Sequence, residues 1–204
     1  MRVIAGSAGG IRLAVAKRGV RPTMDRVKAA IFSSLGDSVA GARVLDLFAG
    51  SGALGIEALS RGASSAVFVE EDRQSVEIIE RNLAKAKLKG RVRQQDVSDF
   101  LRHASDAVTF QIIFADPPYE KTKEDESYTE KLVASEVLPR LLDSSGVFVL
   151  EKRPNEFLPE MKLWRIIRQK TYGATEVLFL STTPTLSREH AKHFGVCNPR
   201  SAIR

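Results

Sequence analysis

The apolar run Val44-Leu45-Asp46-Leu47-Phe48 passes through Ala49-Gly50-Ser51-Gly52 directly into the helix-forming residues Ala53 to Leu59. A strand that ends in a glycine turn and restarts as a helix leaves few architectures open. It calls for a buried parallel strand, a tight reversal, and a helix whose first N–H groups face the turn. Gly50, Gly52 and Gly55 have the spacing G-x-G-x-x-G. That pattern cradles ligands in dinucleotide-binding folds, but it also occurs as a plain structural turn.

The rest of the chain repeats the alternation. Apolar patterning predicts strands at 43–48, 65–70, 91–95, 110–115 and 146–151, with helices at 53–61, 73–88, 97–103 and 129–142. Alternating strands and helices build a parallel sheet covered on both faces. Two longer β-rich runs, 163–171 and 174–181, flank Gly173 and predict an antiparallel hairpin at one edge. The expected fold class is α/β and Rossmann-like, a mostly parallel seven-stranded sheet. Ahead of it, 2–5 and 11–15 read as a β-hairpin extension whose glycine-rich tip, Gly6 to Gly10, is flexible. Thr23 is the expected N-cap of a helix that packs through Val27, Ala30, Ile31 and Leu35 and stops at Gly36. Residues 120–127 are charged and expected to form a mobile loop. The domain organisation is then 1–20 as a hairpin extension, 21–184 as the catalytic body, and 185–204 as a basic tail without periodic pattern.

Charge is distributed unevenly over these parts. Residues 1–28 carry seven basic groups against one acid, residues 29–184 sum to −3, and residues 185–204 to +3. Basic ends on a slightly acidic body suit an enzyme that contacts nucleic acid, although basic termini can serve solubility alone. Cys197 is the one cysteine, so no internal disulfide is possible, which fits a reducing cytoplasmic setting. No apolar run approaches membrane-spanning length, and no membrane partner is expected. His190 and His193 lack further ligands, so no metal is expected.

Acids close several of the predicted strands. Asp46 lies four residues before Gly50. A carboxylate there repels a pyrophosphate and attracts the ammonium and sulfonium charges of S-adenosylmethionine, unless it only hydrogen-bonds its own turn. Glu70 follows Gly50 by twenty residues. It can hold two ribose hydroxyls, which suits NAD and S-adenosylmethionine equally. Asp96 ends the third strand and can accept from an adenine amino group, with the Val97 N–H alongside. Capping the next helix is the rival reading, and the two are compatible. The fourth strand runs into Asp116-Pro117-Pro118-Tyr119. Two prolines remove two backbone donors, so this turn offers carbonyls and a carboxylate, an acceptor-rich pocket for an N–H₂ group. Tyr119 adds a face on which a base can stack. An NAD-dependent oxidoreductase would use the same glycines and leave this turn without a task.

Three stretches together resemble the RsmD family: Arg21-Pro22-Thr23-Met24-Asp25-Arg26-Val27-Lys28, Asp46 to Gly55, and Glu57-Ala58-Leu59-Ser60-Arg61-Gly62-Ala63. The likeness spans roughly residues 2–182. The N-terminal hairpin, with Ala8-Gly9-Gly10-Ile11-Arg12-Leu13, departs toward a less basic composition. The resemblance implies a class I methyltransferase of the Asp-Pro-Pro-Tyr group that methylates N2 of a guanine in 16S ribosomal RNA. Its RNA would be presented within an assembled or partly assembled small ribosomal subunit, and its own state is expected to be monomeric. The alternatives are N-methylation of another nucleic acid, such as adenine N6 in DNA. The resemblance further implies that Thr23, Asp46, Phe48, Gly50, Ser51 and Gly52 hold the methionine end of the cofactor, Glu70 the ribose, and Asp96 with Val97 the adenine. Asp116 and the Pro117 carbonyl would accept from the target amine beside Tyr119 and Pro118. Charge, independently of the resemblance, points Arg2, Arg12 and Arg21 toward RNA phosphates.

Overall fold

The computed structural model describes residues 1–15, 23–105, 107–118 and 127–183, and at Thr23 and Met24 the backbone alone. Seven strands form one sheet in the order β3-β2-β1-β4-β5-β7-β6. They are β1 (Arg43–Leu47), β2 (Ser65–Glu70), β3 (Arg91–Gln94), β4 (Phe110–Ala115), β5 (Leu142–Lys152), β6 (Trp164–Tyr172) and β7 (Thr175–Thr182). The first five run parallel and β7 lies antiparallel between β5 and β6. Helices α1 (Thr23–Leu35), α2 (Ala53–Ser60), α3 (Arg73–Ala86), α4 (Val97–Arg102), α5 (Tyr128–Ala134) and α6 (Leu138–Leu141) make the connections. The α/β, mostly parallel, seven-stranded fold read from the sequence is the fold observed. Among the described residues no helix is long and apolar enough to cross a membrane.

The pleat sorts the core into two layers. Successive strand residues point to opposite faces, so Val44, Ala66, Phe68, Ile112, Phe114, Val149, Val177 and Phe179 pack on one face with α1 and α2. Leu45, Leu47, Val69, Ile113, Ala115, Phe148, Leu150, Leu178 and Leu180 pack on the other with α4, α5 and α6. On the first face the rings of Phe32 in α1 and Phe114 in β4 lie 5.7 Å apart. From Phe32, α1 descends to Gly36 and the start of β1. Its first turn, nine residues back and about 13 Å up the helix axis, therefore stands at the carboxyl end of the sheet.

Two elements differ from the sequence expectation. The single helix expected over 129–142 is two short helices. Ser135 breaks it in extended conformation and its Oγ accepts from the backbone N–H groups of Val137 and Leu138 at 3.2 and 3.1 Å. Pro139 then opens the second helix, where its missing N–H costs nothing. Strand β5 begins at Leu142, ahead of the expected 146, because its pairing with β4 shifts register between Phe110 and Ile112. Asp143 braces the exposed extra residues by accepting from the N–H and Oγ of Ser145 at 3.1 and 3.0 Å.

The N-terminal hairpin forms, held by one antiparallel bridge between Arg2 and Arg12. Its tip is pinned where flexibility was expected. Ser7 N–H donates to the Ser60 carbonyl at 2.7 Å, and Ala8 N–H to Ser60 Oγ at 2.9 Å. Val3, Ala8 and Leu13 are buried in the same layer as α1 and α2. A polar anchor holds this packing. Glu57, fully buried on α2, accepts from Ile4 N–H at 2.7 Å and Ala5 N–H at 3.1 Å. It also pairs with Lys28 at 3.3 Å and Arg61 at 2.7 Å. Lys28 donates in turn to the Arg2 carbonyl at 2.6 Å. Burial lowers the Lys28 ammonium pKa, and the Glu57 charge opposes that shift.

Candidate active site

Strand order reverses between β1 and β4, which lie side by side while their connections leave in opposite directions. Open α/β sheets bind ligands in the crevice at such a point, outside the carboxyl ends of the strands. Asp46 pairs in register with Phe68 of β2 and Phe114 of β4, and Phe114 with Val149 of β5. Counting two residues on along each strand reaches Glu70, Asp116 and Glu151, about 6–7 Å higher. The alternation of the pleat puts all four acids on the face covered by α1 and α2. Asp46 forms the floor of the crevice, and the other three stand in a row along its rim.

The turn after β1 is shaped around these acids. Gly50 and Gly52 have φ of 55° and 75°, the left-handed region that a Cβ disfavours. Phe48 adopts φ 56° without being glycine, a strained conformation held in place by its surroundings. Its ring meets that of Tyr128 edge-on at 5.2 Å. Gly50 N–H donates to Glu70 Oε2 at 2.7 Å, and Asp72 N–H to Glu70 Oε1 at 2.9 Å. Gly55 N–H donates to Asp46 Oδ2 at 2.9 Å. Gly55 is needed for packing more than for any ligand, since a Cβ there would come within 2.3 Å of the Phe68 ring. Asn82 of α3 ties the turn to the N-terminal segment. Its amide donates to the Ser51 and Ala14 carbonyls, both at 2.9 Å, and its Oδ1 accepts from Ala14 N–H at 2.8 Å.

Electrostatics sharpen the picture. Asp46 is 2 % exposed. Burial, with added repulsion from Asp116 and Glu70, raises its pKa to about 8 against the relief of the Gly55 bond. Asp116 is raised to about 6, again by burial. Glu151 is raised well above the ordinary range, first by burial and then by the charges of Asp116 and Asp46. Among the described residues no cation acts on these three carboxyls. A crevice with this donor set is short of positive charge. A ligand carrying ammonium and sulfonium groups supplies it, and a pyrophosphate would meet repulsion.

The site residues expected from the sequence converge in part. Asp46, Phe48, Gly50, Ser51, Gly52, Glu70 and Asp116 line or border the crevice, with Pro117 buried and Pro118 exposed just beyond β4. Asp96 caps α4, its Oδ1 accepting from Asp99 N–H at 3.0 Å, so the capping reading is realised and its second oxygen stays available. Arg2 and Arg12 are exposed opposite each other on the hairpin. Lys28, counted with the basic end, is buried against Glu57 and offers no surface charge. Tyr119, Arg21, the expected loop 120–127 up to Glu126, and the tail from residue 184 lie outside the described residues, as does the Thr23 side chain. Sequence reasoning missed Glu151. It closes the fifth strand as Glu70 and Asp116 close theirs, and that shared position was the signal available. Asn82 and Glu57 were also missed, because a polar residue inside an amphipathic helix gives no sign of its distant partner.

Strand order, glycine turn and rim of acids define a Rossmann-like class I methyltransferase. The sequence family described as conserved hypothetical protein 95 matches residues 1–181, and the chain belongs to it, the RsmD family. YlbH of Bacillus subtilis, which carries the name of an rRNA methyltransferase, is 40% identical over 182 residues, covering 87% of this chain and 96% of its own. The ribosomal RNA small subunit methyltransferase D of Escherichia coli strain K12 is 34% identical over 175 residues, 85% of each chain. Among solved structures, the Thermus thermophilus 16S rRNA N2 methyltransferase RsmC, in complex with AdoMet and guanosine, superposes with a TM-score of 0.64 at 26% identity. That match covers 82% of this chain and 45% of RsmC.

Proposed function

We propose that this chain transfers a methyl group from S-adenosylmethionine to the exocyclic N2 of a guanine in 16S ribosomal RNA. The observation that carries the reading is the pairing of two carboxyls at the switch point: Asp46 on the floor of β1, and Asp116 two residues higher on β4 at the head of the Asp-Pro-Pro turn. One suits a cationic cofactor and the other an amine. Relatives named for rRNA methyl transfer support the substrate class. An RsmC structure containing guanosine supports the base.

S-Adenosylmethionine, when bound, supplies a methyl group activated by the sulfonium charge. Everything else falls to residues of this chain. Asp46 and the turn from Phe48 to Gly52, with Thr23, hold the charged methionine end. Glu70 keeps a lone pair on each oxygen for ribose hydroxyls beyond its two backbone bonds. Asp96 and the Val97 N–H face the adenine. Asp116 and the Pro117 carbonyl accept from N2, which turns the nitrogen lone pair toward the methyl group. Catalysis of this kind comes from positioning and fixed charge. With a pKa of about 6, Asp116 is ionised at neutral pH and can take the proton that the alkylated nitrogen sheds. Tyr119 and Pro118 frame the base, and Arg2, Arg12 and Arg21 meet RNA phosphates.

A pocket for one guanine cannot choose among the many guanines of a large RNA, and phosphate contacts carry no sequence information. The base is therefore chosen by how the substrate presents it, as an unstacked nucleotide on a preformed particle surface. The test compares methyl incorporation into small subunits from cells lacking the enzyme with that into naked 16S RNA, at matched RNA and salt. The product is identified by nucleoside mass spectrometry. N2-Methylguanosine, formed faster on the particle, is expected. Methylation of another base would overturn the guanine reading, and equal rates on naked RNA would overturn the particle. Asp116→Ala should retain cofactor binding and lose at least about a hundredfold in turnover.

A further inference from the structure

Glu151 has no task in the reaction as derived so far, yet it occupies the rim beside Asp116. Ala115 of β4 pairs with Leu150 of β5, so Asp116 and Glu151 follow as neighbours on adjacent parallel strands, whose spacing is about 4.8 Å. Val149 and Phe114 belong to one core layer and Leu150 and Ala115 to the other. Both acids consequently project into the crevice. The next residue of β5, Lys152, points to the opposite face and pairs with Glu176 of β7 at 2.8 Å, so the nearest ammonium along the chain is committed elsewhere. Among the described residues the Glu151 side chain has no hydrogen-bond and no ion-pair partner, while its backbone pairs with β7. It is a half-buried carboxyl next to the amine-accepting turn, with its acceptors unused.

Such a group costs free energy to keep without a partner, and the proposed substrate offers one. The Watson–Crick edge of guanine carries two adjacent donors, N2–H₂ and N1–H. Adenine and cytosine carry an amine beside a bare ring nitrogen, which is an acceptor. Two side-by-side carboxyls match the first pattern and set an acceptor against an acceptor in the second. We propose that Glu151 is the residue that selects guanine, accepting from N1–H while Asp116 and the Pro117 carbonyl hold N2. This rests on the guanine-N2 reading above and deepens it.

The test uses the full chain, methylating small subunits, with free nucleosides as competitive inhibitors. Guanosine is compared with 1-methylguanosine and 2-aminopurine riboside. Both analogues keep the 2-amino group and lack the N1 proton. The assay is run on the alkaline side of the pH profile, where Glu151 is ionised against the burial and neighbouring charges that raise its pKa. In the wild type, guanosine should inhibit about 10- to 100-fold better than either, the worth of one hydrogen bond to a charged group. In Glu151→Gln the preference over 2-aminopurine riboside should collapse toward one, because the glutamine amide can donate to a bare N1. Cofactor binding by calorimetry should stay near wild type and the melting temperature should not fall, which separates base selection from a folding defect. Equal inhibition by all three nucleosides in the wild type, none by any of them included, would overturn the assignment. So would a discrimination ratio that Glu151→Gln leaves unchanged. A wild-type product other than N2-methylguanosine would instead count against the proposed function itself.

Discussion

At the scale of single residues, the chemistry of the crevice is a matter of charge held without compensation. Asp46 sits where a carboxylate is poorly solvated, and its pKa of about 8 against an ordinary 3.8 measures that cost. The sign follows directly. A carboxyl whose folded pKa is raised withdraws stability as pH climbs from its unfolded value toward the folded one, so the ligand-free protein should lose stability between about pH 4 and pH 8 and level off above. Binding of a cation favours the ionised form, so affinity for S-adenosylmethionine should rise with pH through the same window. Asp46→Asn keeps an acceptor for Gly55 N–H and removes the charge. It should melt about 2–4 °C or more above the wild type at pH 8 and bind the cofactor weakly at every pH. Calorimetric titrations and melts at several pH values check both halves. A variant that melts no higher and binds as well would remove Asp46 from the site. Asp116 should appear in the turnover profile as an activity loss as pH falls through about 6, since only its ionised form accepts the amine proton.

At the scale of elements, the N-terminal hairpin is the piece whose role the structure most changed. Its residues are too few to fold alone, and one bridge between Arg2 and Arg12 is little sheet. It holds because Glu57 gathers two of its backbone N–H groups together with Lys28 and Arg61. Removing one member of a buried charged cluster leaves the others desolvated and unpaired, at about 3–5 kcal/mol. Glu57→Ala should lose stability on that scale in urea titrations. Hydrogen exchange at Ile4 and Ala5 should rise ahead of global unfolding. If exchange at those amides stays as slow as in the wild type, the anchor lies elsewhere. Because Asn82 links Ala14 to the Ser51 carbonyl, loosening the hairpin should also weaken cofactor binding.

For the whole molecule, the distribution of charge predicts how RNA is approached. The middle of the sequence is slightly acidic and the ends are basic, yet burial withdraws Lys28 from the surface. Among the described basic residues of this end, Arg2 and Arg12 are exposed side by side on the hairpin and Arg26 is exposed on α1. Each neutralised phosphate contributes about 0.7–0.9 to the slope of log affinity against log salt. Arg2→Ala and Arg12→Ala should each reduce that slope by about one contact, without affecting cofactor affinity. An unchanged slope for both would place the RNA on another face.

The order of strands and helices, the glycine turn, and the acids at strand ends were legible in the sequence because each is written locally. Apolar period, turn residues and strand length are properties of neighbours along the chain. Asp46, Glu70 and Asp116 could be singled out for the same reason, since each closes a recognisable run. What the sequence could not carry was the meeting of distant segments. The reversal of strand order brings Asp46 and Asp116 to adjacent strands, seventy residues apart in the chain. Register and pleat set Glu151 beside Asp116 on the same face, and the buried contacts of Glu57 turn a basic N-terminal arm into part of the body. Those outcomes depend on pairing register and on which charges share a low-dielectric space. Both are decided by tertiary packing, because a one-residue shift would turn the same acids to the opposite face of the sheet.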